Sequence, residues 1–228
     1  SIAALVLMGH VHADAGHYDR AATAVDASVQ RAIEFYGREG DLAIQTRSTG
    51  IPVLLWLGRS AEAERTGRET MDAARRSKTL APEALRQMTR RFATALIATG
   101  KAGEALELLQ RMAAQEPAQA EMEHAATLLC KAGALASLGR PREAADAAHQ
   151  AGDLWSKTGG IVQRGMMADA RLTEALARAK MGNAALAQAL ATEAETILKQ
   201  TLPADHPSFQ RIEMARAAAL RAAGRAKE

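Results

Sequence analysis

An all-α fold is predicted for this sequence, and three observations carry the expectation: an alanine excess, a scarcity of aromatic residues, and glycines that recur at a nearly fixed interval. Of the 228 residues 54 are alanine and only 3% are Phe, Trp or Tyr, against 48% hydrophobic overall. Strands draw on Val, Ile, Tyr, Phe and Trp, whereas this chain fills its apolar positions with Ala and Leu, which favour helix. Gly16, Gly58, Gly100, Gly139, Gly182 and Gly224 are spaced 42, 42, 39, 43 and 42 residues apart. Five residues after each of the first five stands an alanine: Ala21, Ala63, Ala105, Ala144 and Ala187. Seven residues before each glycine stands a small residue, Gly9, Ala93, Ala132, Ala175 or Ala217, with Ile51 the exception. A period of this length marks a repeat architecture.

Each unit reads as a helical hairpin. Phe92 to Thr99 carries apolar residues at helical intervals and then meets Gly100, a residue able to close a helix in the left-handed conformation. A second helix then begins at Tyr18, Ser60 or Pro141, proline being tolerated in a first turn. The small residues fall where the two helices cross and allow their axes to approach to about 8 Å. One hairpin cannot bury its own apolar face, so hairpins stack. In order, the repeats span about 2–40, 41–81, 82–117, 118–158 and 159–204 of a single superhelical domain. A capping helix follows over 205–228, its polar outer face supplied by Arg211, Glu213, Arg216, Arg221, Arg225 and Lys227. Breakers fall at the expected turns: Gly37 and Gly40, Pro82, Pro117, Gly159 and Gly160, Pro203 and Pro207. Gly50 and Pro52 instead lie inside the first helix of repeat two, which should kink or begin late.

Gly9 with Gly16, Tyr18 and Ala21, and Phe92, Ala93, Leu96, Gly100, Ala105, Leu109 and Pro117, resemble the tetratricopeptide repeat signature. Lys131 and Glu174 depart from it at the usual large apolar position, and Arg178 replaces an aromatic or leucine. A period of 42 is also near the HEAT and armadillo range of about 40 to 47, but the glycine-to-alanine spacing favours tetratricopeptide units with lengthened helices. Leu202-Pro203-Ala204-Asp205-His206-Pro207 is similar to the linker between the 42-residue repeats of kinesin light chain and many bacterial regulators. The resemblance implies a right-handed α-solenoid of stacked antiparallel hairpins. It also implies a regulatory arm of a larger bacterial protein.

Other classes find little support. The net charge of +3 is small and spread along the chain, so nucleic acid is not the expected partner. No window approaches 18 uncharged apolar residues, which argues against a membrane span. The single Cys130 cannot form an intrachain disulfide, which fits a reducing cytoplasm. Its apolar helical setting predicts an inert buried thiol. The apolar run Ile2 to Met8 has no basic lead-in and does not read as a signal peptide; a start at Ser1 suggests a piece of a longer protein. Glu121, Glu123 and His124 read as residues opening a helix, where acidic groups favour the dipole. His10, Asp14 and His17 make an incomplete ligand set, since Gly16 should end the helix before His17; no metal site and no cofactor are expected. No phosphate-cradling glycine loop or nucleophile elbow is present, so an enzyme is not expected.

Binding is the better prospect, because the first helices of stacked hairpins line a concave side. The resemblance carries the groove positions onto Val6, His10 and Asp14; Gln45, Ser48, Leu55 and Trp56; Gln87, Arg90, Thr94 and Ile97; Leu129, Gly133 and Ser137; and Asp169, Leu172, Leu176 and Lys180. Of these, His10, Trp56, Arg90, Thr94, Ile97, Leu129, Leu172 and Leu176 are the candidate partner-binding residues. Trp56 is either a partner anchor or ordinary packing beside Leu54 and Leu57. Arg90 and Arg91 could hold a carboxylate or phosphate. Trp155 should pack on the convex or inter-repeat side. The expected function is a non-enzymatic module binding a peptide or protein segment in its groove, the alternative being a small-ligand sensor domain of a regulator.

Overall fold

A computed structural model describes the chain except residues 116–119, 158–159, 201, 204–205, 207 and 225–228. Among the described residues there are eleven α-helices and no strand. They are α1 (Ile2–Asp14), α2 (Tyr18–Tyr36), α3 (Asp41–Trp56), α4 (Ser60–Arg76), α5 (Pro82–Ala98), α6 (Ala102–Ala113), α7 (Glu121–Ser137), α8 (Pro141–Ser156), α9 (Ile161–Lys180), α10 (Ala184–Lys199) and α11 (Ser208–Ala222). The chain divides into two compact units, Ser1–Leu108 and Leu109–Glu228.

Every member of the glycine series has a positive φ, between 71° and 82°. The residue after the glycine then donates its N–H to the carbonyl five residues earlier: His17 to His12 (2.7 Å), Arg59 to Leu54 (2.8 Å), Lys101 to Leu96 (2.8 Å), Arg140 to Leu135 (3.0 Å) and Asn183 to Arg178 (3.0 Å). This closure uses carbonyls that a helix end leaves unpaired. It sets the start of the following helix, at Tyr18, Ser60, Ala102, Pro141 and Ala184. Ala21, Ala63, Ala105, Ala144 and Ala187 are all fully buried at the crossings.

In the first unit, α3 departs from expectation by starting at Asp41 and running through Pro52. Its start is held by tertiary contacts. Ser77 Oγ donates to Asp41 Oδ1 (2.5 Å) and Thr79 Oγ1 to Oδ2 (2.6 Å); first Ser77, then Thr79, holds the carboxyl below its usual range. Gly50 serves a close approach, since a Cβ there would sit 3.3 Å from Val25 Cγ1 of α2.

In the second unit, Ala168, Leu172, Leu190, Ile197, Leu198 and Ile212 form the main core of α9, α10 and α11, and Trp155 is buried in α8. The closing helix is less polar than expected. Arg211 pairs with Asp169 (2.5 Å) and Arg216 with Glu195, which draws both arginines onto neighbouring helices. Met214 and Leu220 are left exposed. Cys130 is half-buried rather than fully enclosed. Pro117, Gly159, Pro207, Arg225 and Lys227 lie outside the described residues. No helix among the described residues is long and apolar enough to cross a membrane.

Candidate binding cavity

The first helices of the first three hairpins, α1, α3 and α5, together line a cavity of about 420 Å³. α1 contributes Ile2, Val6, Leu7 and His10; α3 contributes Leu42, Gln45, Thr46 and Thr49; α5 contributes Gln87 and Arg91. Two of the threonine hydroxyls are spent on their own helix: Thr46 Oγ1 donates to the Leu42 carbonyl (2.6 Å) and Thr49 Oγ1 to the Thr46 carbonyl (2.6 Å). Such back-bonding occupies their hydroxyl protons within the helix. The His10 imidazole, the amides of Gln45 and Gln87 and the Arg91 guanidinium are therefore the main polar groups offered to a ligand.

Arg91 is held by a short relay. Its Nη1 donates to Ser48 Oγ (2.8 Å), and Ser48 Oγ in turn donates to the Gln45 carbonyl (2.7 Å). Ser48 is the sole acceptor Arg91 has among the described residues, so most of its five donors remain available. Burial first, and then the neighbouring charge of Arg90, pushes the Arg91 guanidinium down to about 10. A cation placed this way is short of a compensating anion.

The cavity collects His10, together with the groove positions Val6, Gln45 and Gln87. Other candidates lie elsewhere. Arg90 is only 9% exposed and turns away from the cavity; Thr94, exposed, donates from Oγ1 to the Arg90 carbonyl (3.0 Å), and Ile97 is half-buried. The cavity cation is Arg91, four residues after Gln87 and so on the same helix face, a register that the three-residue step to Arg90 missed. Trp56 is off the cavity at the end of α3, 48% exposed and stacked on Tyr18 with ring centroids 5.4 Å apart. In the second unit Leu172 is 0% exposed, so it is core rather than an open wall. Leu176 packs partly buried against that same core, and Leu129 is half-buried. Among the described residues no group of three metal-ligating side chains gathers.

Hairpins closed by a left-handed glycine and crossed at small residues define an α-helical repeat solenoid of the tetratricopeptide type. Solved structures show the same fold. One is BtubC (BKLC) from P. vanneervenii, with 16% sequence identity, 92% of this chain and 85% of that chain covered, and a TM-score of 0.64. Another is a putative kinesin light chain of Podosopora anserina with nearly identical TPR-like repeats, with 19% identity, 88% and 96% covered, and a TM-score of 0.60. At these identities the likeness is one of fold. No family model matches the chain and no curated protein matches it.

Proposed function

We propose that this chain is a non-enzymatic interaction module, serving a regulatory protein, that takes a peptide or protein segment in the cavity between α1, α3 and α5. Arg91 carries the reading: a desolvated guanidinium with a single hydroxyl acceptor is stabilised when a ligand brings a carboxylate or phosphate to it. The apolar wall of Ile2, Val6, Leu7 and Leu42 would bury an adjoining aliphatic or aromatic group, and the Gln45 and Gln87 amides would bond backbone groups of an extended segment. The volume falls within the usual range of about 300–1,000 Å³ for ligand sites, which also supports the alternative of a small anionic effector.

The test is fluorescence anisotropy with the intact chain against a library of labelled peptides carrying aliphatic and acidic residues. For a peptide that binds, Arg91→Gln is expected to weaken affinity roughly 10- to 100-fold, the worth of a hydrogen bond to a charged group. Gln87→Ala should cost less, and Thr94→Ala nothing. Peptide binding that survives Arg91→Gln removes the cavity as the site. Thermal stabilisation by small carboxylates, lost in the same variant and without any peptide bound, would instead favour the sensor reading.

A further inference from the structure

The two units answer a cation on their first helices in different ways. Gln45, Gln87, Asp169 and Arg211 each stand 13 residues before a glycine of the repeating series. In the second unit that register joins Asp169 of α9 to Arg211 of α11 (2.5 Å), so the cation has its anion within the chain. In the first unit the same register of α3 and α5 holds two uncharged amides, and the cation comes one helical turn later, at Arg91. Ser48 is all that the chain sets against it.

Ser48 is 0% exposed. Its one proton goes to the Gln45 carbonyl, so its oxygen meets Arg91 Nη1 only as an acceptor. That contact fastens one nitrogen of a rigid, planar group. Nε and Nη2, on the other edge, have no partner among the described residues, and neither is shut off from its surroundings as Nε of Arg86, Arg164 and Arg216 is. Together they make the two-donor fork that matches the two oxygens of a carboxylate. Charge points the same way. The cavity lining has no Asp, Glu or Lys and no second Arg, so one carboxylate neutralises it. A phosphate monoester, carrying about −1.5 to −2, would leave excess negative charge against apolar walls and amides.

We propose that Ser48 is a positioning residue of the cavity, fastening the Arg91 guanidinium so that its open fork accepts a carboxylate in preference to a phosphate. This rests on the cavity being the binding site, and it narrows the ligand to one that carries a carboxylate beside an apolar group.

Hexanoate and hexyl phosphate, titrated calorimetrically into the intact chain at about pH 8, present the two headgroups on one apolar tail, the phosphate as a dianion. In a second arm, glutamate replaces phosphoserine within one labelled apolar peptide; the arm that saturates tells a small effector from a peptide segment. The carboxylate form is expected to bind more tightly. Ser48→Ala should weaken it about 3- to 10-fold and leave the phosphate form nearly unchanged, so that the preference shrinks. Arg91→Lys, which keeps the charge but not the fork, should shrink it too. A merely structural effect of Ser48→Ala would weaken both headgroups alike, which makes their ratio the decisive readout. An undiminished ratio in Ser48→Ala, with binding abolished by Arg91→Gln, overturns the role of Ser48 and leaves the cavity standing. Tighter binding of the phosphate form, or no saturation in either arm, overturns the carboxylate assignment. Binding indifferent to Arg91→Gln removes the cavity as the site and this proposal with it.

Discussion

The seam of α4 with α5 and the seam of α8 with α9 occupy the same place in the repeat and are filled by opposite chemistry. Eight residues before the hairpin glycine, α5 has Phe92, buried over Gly67 with the Arg68 guanidinium 5.4 Å from its ring centre. At that position α9 has Glu174, just as buried, reached by Arg178 (3.1 Å), by His149 Nδ1 (3.2 Å) and by Arg171 (3.5 Å). The hairpin geometry supplies the position; whether apolar volume or charge fills it depends on what the facing helix offers. Glycine opposite an aromatic gives close packing. A buried carboxylate must collect cations, because an uncompensated charge there costs several kcal/mol.

The most severe way to test this contrast is to empty both positions. Phe92→Ala should destabilise by roughly 3–5 kcal/mol through lost burial and a cavity, and Glu174→Ala by less, because Arg171 keeps Asp153 and Glu193 and Arg178 keeps Asp146 when their shared anion is gone. Urea midpoints measure both. The seams part company with leucine: Glu174→Leu alone should still cost stability, since it removes the one buried anion and leaves Arg171 with Asp153 (3.1 Å) and Glu193 (3.0 Å) and Arg178 with only Asp146 (3.7 Å). Glu174→Leu combined with Arg178→Met should recover most of the loss, since apolar replacement of a whole buried ion pair is often neutral. If the double variant is no better than the single, the charged seam is not behaving as an ion pair.

A smaller contrast lies in the facing glycines. Gly67→Ala drives a methyl into the Phe92 ring and should cost roughly 1–3 kcal/mol by overpacking. Gly152→Ala meets the Arg171 guanidinium tip at 3.0 Å, the movable end of a long side chain, so its thermal midpoint should fall less. Comparable in size to Gly67→Ala are Ala105→Leu and Ala144→Leu, one in each unit at a fully buried hairpin crossing. Each should cost about 1–3 kcal/mol, and an unchanged thermal midpoint in both would break the crossing geometry common to the two units.

The gentlest test is acid. Lys101 first, then Thr99 and Arg68, holds the Glu64 carboxyl of α4 down at about 2, from an ordinary 4.5, with Lys101 Nζ 2.5 Å and Arg68 Nε 2.9 Å away. A depressed folded value means that the contribution is complete above pH 4.5 and is lost as pH falls toward 2. Glu64→Gln should therefore lower stability at neutral pH and flatten the acid decline, visible in thermal midpoints taken between pH 5 and 2. A decline as steep as the parent's would remove Glu64 from the acid response.

Much of the scaffold was legible in the residues. The left-handed glycines, the helix starts at Tyr18, Ser60 and Pro141, and the buried alanines five residues after each turn are local matters, decided within a few residues by φ preference and side-chain size. The binding surface was legible only in part. His10, Val6, Gln45 and Gln87 do meet at one cavity, but choosing Arg90 over Arg91 required knowing which of two adjacent side chains faces inward, a rotation of about 100° per residue. Leu172 illustrates the same difficulty, being apolar in either setting and core only because α10 and α11 cover it.

By itself, then, the sequence determined the hairpin: its period, its turn chemistry and the small side chains at its crossing, all properties of residues close together in the chain. Tertiary structure alone decided the rest. It anchored α3 at Asp41 through Ser77 and Thr79 despite Pro52, buried Glu174 among cations, and left Arg91 desolvated with one hydroxyl. Each of these depends on which helix lies opposite, and a neighbour some 20 to 40 residues away changes solvation and charge balance without leaving a local trace.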